Sequence, residues 1–283
     1  MSDRRPYPSS LDYARLLNPA CSWLTQRPSL YIPLPQITRN RLRDLCGRWP
    51  ATVTAGTHVS VDESGPFLLL DPAGSQFVNL GSFLNGGKVL NGSGVWSVAL
   101  GFRWFPTADQ GTATRNLLSL ISGNSGLNLL VNGSNQALQV QTGNSSGGLS
   151  PAQTIATLEA DRDYVFGYCS TNGFQNSTGN WWYLSGRSGQ SNGYGAGQNG
   201  TSKFIGRSQG GTYIGMRFYF LLSTGQQLNA AEFLKLQEEW QAGWPRTLRR
   251  VPARRAPAPT SGPPASTLFR RGRGRRTGTR GVA

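Results

Sequence analysis

The sequence is poor in the residues on which metal sites and many catalytic centres depend. Its 283 residues include one histidine, three cysteines and two methionines, and charged residues make up only 14%. The three cysteines, Cys21, Cys46 and Cys169, lie far apart, so with His58 they cannot form a zinc cluster of the usual ligands. An odd number of cysteines also argues against a full disulfide framework. We predict no metal and no cofactor.

Long apolar segments are absent as well. No apolar run approaches the roughly 18 residues of a membrane span. Residues 1–17 lack the apolar core of a secretory signal. We therefore expect no membrane partner, and a product that stays in the cell that made it unless it leaves as part of a larger particle.

The positive charge is concentrated at the two ends of the chain. Residues 1–50 hold eight arginines against three aspartates, and residues 246–283 hold eleven arginines and no acid, whereas the middle is nearly neutral. We interpret residues 1–27 as a basic N-terminal arm, 28–245 as the globular domain and 246–283 as an Arg/Pro/Gly-rich C-terminal arm. The C-terminal arm has too few apolar residues for a core, so it should be disordered in isolation.

The middle consists of short apolar segments separated by Gly, Asn and Ser, a pattern typical of a β-sandwich or barrel. In 95–104 large apolar residues alternate with small or polar ones, which places them on one buried face. Residues 212–222 repeat this pattern, with even-numbered side chains predicted inward. Further strands are predicted at 66–70, 76–80, 117–122, 127–132, 138–142, 164–169, 181–184 and 203–206, and Asn132-Gly133 predicts a hairpin turn.

One amphipathic helix is predicted, at 229–241. Asn229 is a good N-cap, and Glu232 three residues later completes a capping box. Phe233, Leu236 and Trp240 share one face. The helix should lie across the back of a sheet, against Tyr219 and Leu221.

The order of these signals resembles a known family. The stretches that carry the likeness are 29–35 with 42–48, 67–80, 96–105, and the closing group 203–206, 214–220 and 228–233. Together they resemble the laminin-G-like, concanavalin A-like jelly roll in the version common in tailed-phage structural proteins. The resemblance implies an all-β sandwich jelly roll with one C-terminal amphipathic helix, flanked by extended basic arms. No pair of aspartates matches the rim calcium site of some members, so calcium is not implied.

Two features raise the question of catalysis. Glu159, Asp161 and Asp163 alternate like the acids of the catalytic strand in jelly-roll glucanases, and retaining glycosidases need two carboxyls about 5–5.5 Å apart. Here, however, the acids precede the strand at 164–169, so we favour a solvent-exposed turn. His58 has Ser and Thr neighbours and no nearby acid, which favours a strand-edge histidine over a catalytic triad. We predict that the protein is not an enzyme.

Aromatic residues are the best candidates for a ligand or interface surface. Because adjacent strand residues face opposite ways, Trp181 and Tyr183 share one face and Trp182 faces the other with Leu184. The alternative is a strand that is buried on both faces. Tyr194, in a long apolar-poor loop at 185–202, is a further candidate contact.

The C-terminal arm contains the strongest charge signal. It allows three interpretations: docking in a groove of a neighbouring subunit, binding to the phosphates of nucleic acid, or a solvated tail without a role. The candidate contact residues are Arg249, Arg250, Arg254, Arg255, Leu268, Phe269, Arg270, Arg271, Arg273, Arg275, Arg276 and Arg280.

These observations favour a non-enzymatic structural protein of a virus particle, a phage capsid decoration or tail component. It would be made in the host cytoplasm, reside in the virion, form a homo-oligomer and bind other capsid or tail subunits through its arms. The alternative is a glycan-binding module for receptor recognition or adhesion, in which the Arg-rich tail binds nucleic acid. A glycosidase is the third hypothesis.

Overall fold

The computed structural model describes residues 24, 30–32, 37–42, 44, 51–81, 95–108, 110–121, 126–143, 148–170, 180–191 and 203–242. All of them belong to the first of the two units into which the chain divides, Met1–Thr247. The predicted C-terminal arm, and the N-terminal arm apart from residue 24, lie outside the described residues.

The described residues form seventeen strands and one helix. In chain order they are β1 (Leu30–Ile32), β2 (Ile37–Thr38), β3 (Arg41–Leu42), β4 (Ala51–Val53), β5 (Val59–Asp62), β6 (Gly65–Leu70), β7 (Val78–Asn79), β8 (Trp96–Trp104), β9 (Thr114–Ser119), β10 (Leu127–Asn132), β11 (Ala137–Thr142), β12 (Gln153–Thr157), β13 (Asp163–Ser170), β14 (Trp181–Leu184), β15 (Arg187–Gln190), β16 (Phe204–Ile205), β17 (Met216–Thr224) and α1 (Ala230–Gln241).

The strands form two antiparallel sheets. Sheet A has the order β15-β14-β13-β8-β17-β6-β5, with β1 paired to the second half of β17. Sheet B has the order β12-β11-β10-β9-β16-β7-β4-β3-β2. The protein is thus an all-β sandwich with one C-terminal helix, as the sequence predicted.

The core lies between the two sheets, and the central strand β8 shows why the sequence folds this way. Its five large side chains, from Trp96 to Trp104 at every second position, all belong to the core cluster. Sheet B supplies the opposing layer, mainly leucines and valines of β9, β10 and β11. The predicted alternation of β8 is therefore confirmed.

The alternation predicted for β17 is only half correct. Met216 and Phe218 face the core as expected, but Leu221 also joins the core cluster. The cause is a shift of register against β8 between Phe218 and Phe220, which inserts Tyr219 as an extra residue and reverses the faces beyond it. Phe220 consequently lies on the outer side, where it contacts Trp240 of α1.

The helix lies on the outer side of sheet A, and its predicted cap and buried face are confirmed. The capping box between Asn229 and Glu232 is present, and Phe233, Leu236 and Trp240 are buried. The ring of Tyr219 lies 5.1 Å from that of Trp240, as predicted, whereas the other expected partner, Leu221, lies in the core. None of the helices in the described ranges is long and apolar enough to cross a membrane.

The sequence indicated one long loop at 185–202, but part of this segment forms a strand. Arg187–Gln190 form β15, the last strand at one edge of sheet A. Polar edge strands of this kind carry no apolar alternation, so the sequence pattern does not reveal them.

Candidate ligand site beside Trp181

Trp181 is the exposed aromatic residue of sheet A. It is 47% exposed, and the other large apolar residues exposed in the described ranges are aliphatic. As predicted, Trp181 shares the outer face of β14 with Tyr183, while Leu184 points into the core and Trp182 packs against it. The strand is therefore exposed at its Trp181 end, whereas Tyr183 and Leu184 at the other end are buried on the two faces.

A pocket of about 250 Å³ opens beside Trp181, between β14, β15 and the start of α1. Its lining combines aromatic rings with uncharged polar side chains. The lining residues are Trp181, Trp182, Tyr183, Ser188, Gln227, Leu228, Asn229, Ala230 and Phe233.

The floor of the pocket is a stack of two buried rings. The rings of Tyr183 and Phe233 lie 5.5 Å apart at an angle of 17°, and the Tyr183 hydroxyl donates a 2.8 Å hydrogen bond to Oε1 of Gln237 on α1. Burial raises the pKa of the Tyr183 hydroxyl. Tyr183 therefore fixes the helix to the sheet, and its ring is a rigid surface rather than a mobile contact.

Gly167 of β13 makes this close approach of the helix possible. A Cβ on Gly167 would lie 2.5 Å from two ring atoms of Phe233, well inside any normal contact distance. The absence of a side chain lets the Phe233 ring lie directly on the backbone of the sheet. The position of the pocket thus depends on a glycine in the middle of a strand.

The wall of the pocket is the capped N-terminus of α1. The Glu232 carboxylate accepts a 2.8 Å hydrogen bond from the backbone N–H of Asn229 and one of 3.2 Å from the Gln226 amide. In return, the Asn229 side chain accepts from the Glu232 N–H at 3.0 Å. A helix N-terminus favours negative charge, and here the chain itself supplies it.

Trp182 faces the opposite way from Trp181. It is half-buried against the core cluster, and its indole Nε1 is buried without a hydrogen-bond partner in the described part of the chain. The ring lies across β15, where a Cβ on Gly189 would come within 2.6 Å of it. Trp182 thus supports the edge of sheet A that carries the pocket.

Glu159 and Asp161 lie in the turn between β12 and β13, as predicted, whereas Asp163 is part of β13. The Glu159 carboxylate pairs with Arg162 at 2.7 Å, and Asp161 is exposed in a turn with a φ of 58°. Asp163 begins β13, pairs with Arg103 at 2.6 Å and accepts a hydrogen bond from the Ser64 hydroxyl. Two of the three carboxylates are therefore occupied by arginines, and none lines the pocket.

The remaining titratable groups that the sequence singled out lie apart from the pocket. His58 is exposed, with Nδ1 3.4 Å from the carbonyl oxygen of Gly56. Cys169 is a buried thiol whose pKa burial raises to about 11. Within the described ranges, no group of three or more His, Cys, Asp or Glu residues could hold a metal ion.

Other candidate residues cannot be placed. Tyr194, Cys21, Cys46 and the twelve arm residues between Arg249 and Arg280 lie outside the described residues. Conversely, sequence reasoning missed Ser188, Gln227 and Asn229 as parts of the pocket. The only signal was the capping motif at Asn229, which marks the helix start but not what the helix start faces.

Comparisons with known proteins show the fold. No family model matches the sequence, and no curated protein matches it significantly. A Trypanosoma rangeli sialidase in complex with the inhibitor DANA superposes with a TM-score of 0.54 at 13% identity, covering 75% of this chain and 33% of the sialidase. The binding domain of botulinum neurotoxin serotype D superposes with a TM-score of 0.54 at 14% identity, covering 77% of this chain and 52% of that domain.

The chain thus spans between a third and about half of the length of these neighbours. At such low identity the likeness concerns the fold alone, a concanavalin A-like β-sandwich. The neighbours include both an enzyme and a binding domain.

Proposed function

We propose that this protein is a carbohydrate-binding module, and that it binds a neutral sugar in the pocket beside Trp181. The observation that carries the proposal is a half-exposed tryptophan at the mouth of a pocket with a rigid aromatic floor and a polar rim. Most large aromatic rings of the described residues are buried, so an exposed indole at a concave site is exceptional among them.

The chemistry of the pocket suits a sugar ring. An indole face binds the apolar C–H face of a pyranose, while sugar hydroxyls need hydrogen-bonding groups around the edge. Neither Ser188 nor Gln227 makes a side-chain hydrogen bond within the described part of the chain, so both can serve a ligand. The volume of about 250 Å³ is small, which favours a single sugar residue over a long chain.

The charge of the pocket favours a neutral ligand. All nine lining residues are uncharged, and the nearby helix N-terminus is already neutralised by Glu232. A ligand carboxylate placed there would meet the like charge of the Glu232 carboxylate. We therefore propose neutral hexoses as the class of ligand and expect acidic sugars to bind more weakly.

We also propose that binding is not followed by hydrolysis. The sialidase likeness does not argue against this, since it concerns the fold alone. Glycosidases need a pair of carboxyls at the scissile bond, and the pocket has no acidic lining residue. The purified protein should release no reducing sugar from glycans that it binds, and Glu159→Gln should leave binding unchanged.

The experiment is a glycan array that contains matched neutral and sialylated glycans. We expect retention on a subset of neutral glycans and its loss in Trp181→Ala. Leu234→Ala is the matched control, because Leu234 is also an exposed apolar residue, 40% exposed, but does not line the pocket. Equal binding by Trp181→Ala, or binding restricted to acidic glycans, would refute the proposal.

The second candidate is a structural role in a virus particle, with the basic arms fixing the domain to neighbouring capsid or tail subunits. Its support is the sequence, which carries eleven arginines and no acid in 246–283 beside a nearly neutral domain. The two functions are compatible, because a displayed glycan-binding domain needs an anchor. Copurification with virions tests it: the full chain should sediment with particles, and a chain ending at residue 245 should not.

A further inference from the structure

Strand β5 ends sheet A on the side opposite to the pocket, and it carries two exposed valines. Val61 is 73% exposed and Val59 is 38% exposed. The partner of Val59 on β6, Leu68, belongs to the core cluster, and Pro66, the partner of Val61, lies two residues away on the same face of the sheet. The apolar face of the sandwich therefore continues to this edge without cover from any described residue.

The backbone of β5 also directs hydrogen-bonding groups towards this edge of sheet A. Pro66, the partner of Val61, has no N–H, so Val61 and Pro66 cannot exchange a pair of backbone hydrogen bonds. Because hydrogen-bonded and non-hydrogen-bonded pairs alternate in an antiparallel ladder, we infer that Ser60 and Asp62 bond towards β6. Val59 and Val61 consequently point their N–H and C=O groups away from sheet A. An edge with both free backbone groups and exposed valines is a template for another strand.

We propose that β5 pairs with β5 of a second copy of this chain, antiparallel and centred on Ser60, so that two sheets A join into one. The sequence around Ser60 is self-complementary in this register. On each side of the two-fold axis, Val59 of one copy lies opposite Val61 of the other. Each of these two pairs exchanges two backbone hydrogen bonds. His58 lies opposite Asp62, and no two like charges are opposed.

Other registers pair the backbone groups and the side chains of this edge less well. A shift by one residue places Ser60, whose backbone bonds to β6, opposite the outward-directed groups of Val61. A register centred on Val61 keeps the hydrogen bonds but places Val59 opposite Glu63, an acidic residue that already pairs with Arg103. Only the Ser60-centred register pairs both valines with each other.

The contact is a single short strand from each copy, well below the roughly 1,200–2,000 Å² of a standard interface. We therefore expect a dimer that forms and dissociates with concentration. If the proposed sugar site is correct, the two-fold axis would run perpendicular to the joined sheet. Both Trp181 pockets would then open on the same side, at opposite ends, which suits simultaneous binding to a glycan-covered surface.

Cysteine cross-linking of the full chain tests the register. In the proposed dimer the two Ser60 residues form a pair that is not hydrogen-bonded, with Cα atoms about 4.5 Å apart, within the range for a disulfide. Ser60→Cys should therefore cross-link to itself under mild oxidation, and peptide mass spectrometry should identify a link between the two copies at position 60. Val59→Cys is the matched control: alone it should not cross-link, but mixed with Val61→Cys it should.

Sedimentation velocity over a wide concentration range provides the second measurement. Val61→Lys should weaken dimerisation at least tenfold without unfolding the protein, since residue 61 is exposed. Leu234→Lys, at an exposed site on α1, should leave dimerisation unchanged, and the affinity for a soluble monosaccharide should not differ between any of these variants. Equal cross-linking of Ser60→Cys and Val59→Cys, or unchanged dimerisation in Val61→Lys, would overturn the proposal.

Discussion

Substitution of Gly167 by alanine should loosen the helix that forms one wall of the pocket. The new Cβ would lie 2.5 Å from Cδ1 and Cε1 of Phe233 and 2.8 Å from Cγ, whereas carbon atoms in good contact lie about 3.5–4.0 Å apart. Phe233 is buried and stacked on Tyr183, so its ring cannot turn aside. The ring, and the first turn of α1 with it, must move outward by about 1 Å.

The energetic cost follows from two opposing effects. Overpacking of this kind costs about 1–3 kcal/mol. Alanine recovers up to about 1 kcal/mol, because the unfolded chain loses the conformational freedom of glycine. We therefore expect a net destabilisation of about 1–2 kcal/mol, and a decrease in Tm of roughly 2–8 °C for a domain of this size.

Chemical denaturation of four proteins measures the effect: the parent, Gly167→Ala, Phe233→Ala and the double variant. Because alanine has no side-chain atom beyond Cβ, Phe233→Ala removes the Cγ, Cδ1 and Cε1 atoms that meet the new Cβ, and Gly167→Ala should cost little in this background. The coupling energy between the two positions should thus be about as large as the cost of Gly167→Ala alone. Equal costs of Gly167→Ala in both backgrounds would refute the close contact that we infer.

Three further predictions follow from other parts of the structure. Burial lowers the pKa of Lys203 to about 8, so the protein should gain stability as the pH rises from about 8 to 10.5, and in pH-dependent denaturation this gain should be absent from Lys203→Met. Asp163→Asn should cost about 2–3 kcal/mol, and Glu63→Gln should cost much less although both acids lie 2.6 Å from Arg103, because Glu63 is exposed; equal costs in denaturant titrations would contradict this. Deletion of 246–283 should leave Tm nearly unchanged in calorimetry, because α1 ends at Gln241, and a large decrease would show that the arm supports the domain.

The central strand and the helix could be predicted because a local pattern determines each. The large side chains of β8 alternate without interruption, and α1 has its cap, its capping box and its buried face within thirteen residues. In both cases the signal lies within the segment itself. The overall sandwich follows from the same kind of information, repeated along the chain.

Other features depend on partners that are distant in sequence. The reversal of faces in β17 arises from a bulge at Tyr219, which an alternating apolar segment does not announce when both faces are apolar. The pocket brings Trp181 next to Gln227, and only the docking of α1 on Gly167 makes them neighbours. The exposure of Trp181 could be expected as one of two alternatives, but the pocket beside it could not.

The central claim is that the pocket beside Trp181 binds a neutral sugar, and a titration of indole N–H signals by NMR tests it most directly. The protein has eight tryptophans, and Trp181→Phe assigns the relevant signal. On addition of a neutral oligosaccharide identified on the array, we expect the Trp181 signal to shift in a saturable manner, while the signals of the buried Trp96 and Trp104 stay in place. A saturable shift of other tryptophans with Trp181 unchanged would contradict the account.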